Sequence, residues 1–216
     1  MTDTLTISNL DPSPSGPRGA AVAGLLIVGW GGLMTWAAAR GVFVQASGEI
    51  PLPMIGAVLT PPLLFSLAYL VAPSVRSFAL SIDIRLLTAL QAWRVLGFVF
   101  LALLSIDTLP ALFALPAGLG DVAVGLAAPF VLMAVIHKRA GWQRRVFWLN
   151  VSGLLDFGVA VWSGLFAAQI LLESGAAQNN LMAELPMSLI PAAIVPIFII
   201  LHIISFVQLR RISRPA

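Results

Sequence analysis

Six polar side chains stand out within largely apolar stretches: Gln91, Arg94, Asp121, Asn150, Asp156 and His202. An ionised group surrounded by hydrocarbon costs about 3 kcal/mol or more, so each one calls for a partner, for water or for a function. Two carboxylates and one guanidinium are the notable set. Arg94 can neutralise one aspartate or bind an anionic substrate, and the other carboxylate is then free to take a proton or a cation. His202 has the chemistry of a proton relay or a haem ligand. The second histidine, His137, adjoins Lys138 and Arg139 at the edge of its segment, so the two do not make a matched axial pair. A histidine bonded to a neighbouring side chain is the simpler reading.

These residues must be positioned by long apolar elements. The chain has 216 residues, of which 59% are hydrophobic and 10% charged, with a mean hydropathy of +0.99. Soluble domains carry about 25% charged residues. The pattern predicts an all-α membrane protein, a bundle of six spans over Ala20–Ala39, Met54–Ala72, Ile84–Leu104, Leu109–His137, Val146–Leu172 and Leu189–Leu209. Each is near the roughly 20 residues a helix needs to cross a bilayer. Backbone groups in lipid must bond within their own segment, which selects helices. Residues 1–19 read as a disordered cytoplasmic tail, 20–209 as the transmembrane domain and 210–216 as a basic cytoplasmic tail. Pro61 and Pro62 are expected to kink the second span, and Ser74–Asp83 reads as an interfacial segment.

Charge sets the orientation. With the N-terminus inside, ten of the twelve basic residues fall in cytoplasmic segments, Arg40 falls outside and Arg94 lies within a span. That bias predicts six spans with both ends in the cytoplasm. The net charge of +3 is thus an orientation signal, with no nucleic-acid partner implied. The loop His137–Arg145 suits membrane anchoring and contact with anionic headgroups. No cysteine is present, which removes thiolate metal sites and thiol nucleophiles. The single lysine, Lys138, lies in a loop and cannot form a retinal Schiff base within a span. No cofactor and no metal are implied.

Counting 1.5 Å per residue from each cytoplasmic end puts Arg94 ~14 Å deep, Asp156 ~16 Å, His202 ~12 Å and Asp121 ~24 Å. A break at Gly118–Gly120 would bring Asp121 toward the rest, so these glycines are read as a flexible turn that exposes it. Small residues form one stripe in each of two spans: Ala114, Ala117, Gly118, Asp121, Gly125 and Ala128 in the fourth, and Gly153, Asp156, Ala160 and Gly164 in the fifth. Such stripes let helices approach closely, which turns both aspartates inward.

The run Gly118-Leu119-Gly120-Asp121 matches the GxGD motif of intramembrane aspartyl proteases, in which the aspartate is one of a catalytic pair. Asp156 would be the partner here, but it follows the motif, whereas in those families the partner precedes it. The longer phrase FALPAGLGDVAVGLAAP, with the proline-rich run before His202, resembles small bacterial integral membrane proteins with no established activity, over about Arg94 to Leu209. That resemblance implies an inner-membrane location and no functional residue. The expected function is a small transporter or ligand-binding module. Its charged centre is Arg94, Asp121 and Asp156, surrounded by Gln91, Asn150 and His202, and it acts on a small molecule or a proton. The alternatives are an accessory protein that holds a partner or lipid and an enzyme using the aspartate pair.

Overall fold

The computed structural model describes residues 17–45, 49–173 and 181–212. Its helices are α1 (Pro17–Ala39), α2 (Leu52–Val71), α3 (Pro73–Ser81), α4 (Ile84–Leu90), α5 (Phe98–Ser105), α6 (Ala111–Ile136), α7 (Trp142–Glu173) and α8 (Val195–Ile212). A 3-10 segment, Gln91–Gly97, joins α4 to α5, and a π segment, Ile190–Ile194, leads into α8. No strand occurs among the described residues. Six rods are long and apolar enough to cross a membrane, with the third running over Ile84–Ser105 and the sixth over Ile190–Ile212. These six long apolar helices fall on the six expected segments, with ends shifted by a few residues. Helix α1 begins at Pro17, three residues before the expected span; the rest of the expected tail, residues 1–16, lies outside the described residues. The basic C-terminal segment is helical to Ile212, and 213–216 lie outside it.

Local chemistry explains the boundaries. The Asp83 carboxylate accepts the Arg85 backbone N–H at 2.8 Å and caps α4. Asp107, with φ of 54°, turns the chain between α5 and α6. Lys138 and Gly141, with φ of 47° and 72°, turn it between α6 and α7. Glycine is the residue that adopts such a backbone without penalty, and aspartate tolerates it. Helix α2 continues through Pro61 and Pro62 to Val71. The segment expected over Ser74–Asp83 is largely the short helix α3.

The π segment has a cause in sequence. Pro196 has no N–H to give the carbonyl of Ala192 four residues earlier. The Trp30 indole N–H of α1 bonds that carbonyl at 2.9 Å instead. Beside this bond, Met34, Ala37, Ala38 and Phe43 pack on Ala192 and Ala193, which is how α1 docks. The rest of α1 is largely exposed, Leu25 and Val28 at 73% each.

Candidate functional site

The third rod, α6 and α7 form two successive antiparallel hairpins, and their contact is where the ionic residues meet. The 3-10 geometry brings positions three apart onto one face, so Gln91 and Arg94 point the same way, and both are buried. The expected break at Gly118–Gly120 is absent: α6 is continuous from Ala111 to Ile136. Asp121 reaches Arg94 for a different reason. Both residues are equidistant from the Asp107–Thr108 turn, and antiparallel helices with similar rise bring such positions to the same height. The cytoplasmic-end count misled because α6 extends further than its neighbour at that end.

Arg94 sits at the centre. Its Nη2 donates to Asp121 Oδ1 at 2.9 Å and also to Asp156 Oδ2. Its Nη1 donates to the Gly153 carbonyl at 3.2 Å, and its Cζ lies 3.9 Å above the Phe157 ring. One guanidinium thus ties the third rod to α6 and α7. The three charged side chains are not equally enclosed: Arg94 is 2% exposed, Asp156 7% and Asp121 17%. Arg94 Nε has no partner among the described residues.

A second polar group adjoins the first. Asn150 donates through Nδ2 to the Val146 carbonyl at 2.7 Å and to Ser205 Oγ at 2.9 Å. Its Oδ1 therefore faces His202 Nδ1, 2.7 Å away. An amide oxygen only accepts, so Nδ1 carries the proton, and Nε2 of a neutral ring presents a lone pair. That lone pair is fully buried and has no partner among the described residues, as is true of Gln91 Oε1. The Phe157 ring packs edge-on against the His202 ring as well as under Arg94.

Glycines make the room. A Cβ on Gly97 would meet Asp121 Cβ, one on Gly120 would meet Asp156 Oδ1, and one on Gly125 would meet the Val95 backbone nitrogen. A Cβ on Gly153 would lie 2.6 Å from the His202 ring and 3.2 Å from Arg94 Nη1. Gly118 faces Leu101 in the same way. The glycines predicted as a flexible turn are therefore packing positions in an unbroken helix. The predicted small-residue stripe of α6 is buried, with Ala114 and Ala128 fully enclosed.

All six polar residues singled out in the sequence belong to this one region. Phe157, Gly97 and Ser205 were not foreseen; Gly97 and Ser205 carried a spacing signal, and Phe157 carried none. A guanidinium joins the two carboxylates, and their side chains also hydrogen-bond each other.

The class of molecule this defines is a small helical bundle built around a buried, three-helix ion-pair cluster. Residues 52–210 match the family described as a domain of unknown function, DUF8737, and the chain belongs to that family. The match takes in every residue of the cluster and begins at α2, leaving α1 outside. No curated protein and no solved structure matches the chain.

Proposed function

We propose that this chain spans the bacterial inner membrane six times, with both ends in the cytoplasm, and that its charged centre serves a small transport or ligand-binding activity. The supporting observation is charge balance. Two carboxylates converge on one guanidinium nitrogen, so the cluster holds one negative charge more than it can neutralise by itself. The balance is made by a proton, a cation or a cationic group of a ligand. Asp121 is the exchangeable acid, because it is the more exposed of the two. Asp156 and Arg94 form the fixed pair. Arg94 Nε, Gln91 Oε1 and His202 Nε2, which have no partner among the described residues, add one donor and two acceptors for the same ligand.

Orientation rests on one feature: Arg76, Arg144, Arg145, Arg210 and Arg211 gather at the end of the bundle where α7 begins and α8 finishes. The absence of cysteine makes the test direct. A single cysteine at Ala140 should be labelled by a membrane-impermeant maleimide only after the cytoplasmic side is opened. Labelling of intact cells overturns the orientation.

Activity is tested in proteoliposomes by proton uptake under an imposed potential, with infrared detection of a titrating carboxyl group. The wild type should show both signals, and Asp121→Asn should lose both while keeping its melting temperature. If Asp121→Asn retains both, Asp121 is not the exchangeable group.

A second reading is supported by the enclosure of Arg94. A guanidinium holding three helices is also a clamp that fixes register, as an accessory protein would need. Under this reading the wild type shows neither flux nor a titrating carboxyl.

A further inference from the structure

The basic end of the bundle carries two apolar grooves that the ion-pair cluster does not use. The larger, of about 930 Å³, has a wall of Phe147, Ile203 and Phe206, with Arg144 and Arg210 also lining it. The Phe147 and Phe206 rings pack edge-to-face at 5.6 Å and form a firm apolar surface. The smaller, of about 380 Å³, runs past Leu80 and Tyr69, with Arg76, Arg210 and Arg211. Both volumes lie in the range of small-molecule sites, roughly 300–1,000 Å³. The two grooves share Val207 and Arg210, which are neighbours one turn apart on α8.

The rim is cationic. Arg144, Arg210 and Arg211 are exposed and make no ion pair among the described residues. Arg76 is held in place by donating to the Tyr69 and Leu70 carbonyls, at 3.3 and 3.0 Å, and it stacks over the Tyr69 ring. Those contacts fix its position and leave its charge unneutralised. Asp83, the acid at this end, is engaged by Arg85 at 2.8 Å.

The geometry points to a site for one anionic diacyl phospholipid. Its phosphate sits over Arg210 between Arg144 and Arg76, and one acyl chain lies in each groove on either side of the Val207–Arg210 stripe. Two observations select this ligand. The charge at the rim is complementary to a phosphodiester, which arginine binds through paired N–H donors. The two apolar grooves meet at Val207 and Arg210, as two chains meet at one headgroup. The inference rests on the membrane-spanning reading proposed above.

The test uses the full chain reconstituted with spin-labelled phosphatidylglycerol or spin-labelled phosphatidylcholine, reading the motionally restricted fraction by electron spin resonance. The wild type should prefer phosphatidylglycerol. The double variant Arg144→Gln/Arg210→Gln should lose on the order of ten-fold in that preference, while Lys138→Gln/Arg139→Gln, which removes the same charge from the adjacent turn, should lose under about two-fold. Val207→Trp keeps every charge and fills both grooves, so it should abolish the preference too. Millimolar glycerol 3-phosphate should not displace the lipid.

An equal loss in the two double variants would reduce the effect to general surface charge and overturn the site. Displacement by glycerol 3-phosphate would make it an anion site without chains, which also overturns it. A restricted fraction with no preference rejects the site alone. No restricted fraction for either lipid rejects the membrane-spanning reading itself.

Discussion

The contact of the third rod with α6 and α7 and the contact of α1 with the rest of the bundle are built on opposite principles. At the first, backbones approach closely because glycines leave no side chain between them, and buried charges occupy the space. At the second, a few apolar side chains and one indole N–H bond join a helix that is otherwise exposed. In lipid, apolar side chains gain little by leaving one hydrocarbon for another, so packing and polar bonds decide which helices adhere. The first contact has both in quantity. The second has one bond, a patch and the packing of Gly19 on the Phe78 ring, and it is the part that falls outside the matched family segment.

The comparison can be broken most severely at Arg94. Arg94→Ala leaves two carboxylates facing each other without a cation, and should cost about 3–5 kcal/mol. Thermal unfolding in detergent would show a collapse of the folded fraction. A melting temperature close to wild type would mean that the cluster does not hold the helices together.

Next in size are the glycines. Gly125→Ala drives a methyl group into the Val95 backbone nitrogen, which cannot rotate away. A loss of about 1–3 kcal/mol is expected. Gly29→Ala in α1 meets nothing within 4 Å and should be neutral or slightly stabilising. If the two variants unfold together, close backbone approach is not what distinguishes the regions.

The aspartates sharpen the comparison within the cluster. Asp156→Asn removes the enclosed partner of Arg94 and should destabilise by about 2 kcal/mol more than Asp121→Asn, which removes the surplus acid. Equal losses would deny the division into a fixed pair and an exchangeable group. Asn150→Leu should cost about 1–3 kcal/mol, since His202 Nδ1–H and the Ser205 hydroxyl both lose their partner. The smallest effect belongs to α1. Trp30→Phe removes the one bond to Ala192 and should cost about 1 kcal/mol, measurable as a small fall in melting temperature.

Much of the site was legible before any coordinates, and more could have been read. Arg94 with Asp121, and Gly97 with Gly118, are each centred on the 107–108 turn; Asp121 with Asp156 is centred on the 138–139 turn. Gly153 with His202 and Asn150 with Ser205 share a midpoint between α7 and α8. Counting outward from the 107–108 and 138–139 turns, instead of inward from one membrane face, predicts the contacts of Arg94, Gly97, Gly118, Asp121 and Asp156. The error over Asp121 came from assuming that all rods end at the same depth. The role of Gly118 and Gly120 was misread because glycine permits both a turn and a close approach, and sequence does not distinguish them. Gly120 is held helical by its neighbours and leaves space for Asp156.

By itself the sequence determined the number of long apolar rods, the turns between them and the inward stripe of small residues. These follow from hydropathy, from backbone preference and from helical period, all of which act within a few turns of chain. Only the tertiary structure decided that one nitrogen of Arg94 serves both aspartates, that Asp121 is the more exposed, and that His202 Nε2 has no partner among the described residues. The 3-10 turn at Gln91–Gly97 and the two grooves around Val207 and Arg210 were likewise settled there. Each of these depends on the relative rotation and height of separate helices, which no local rule fixes.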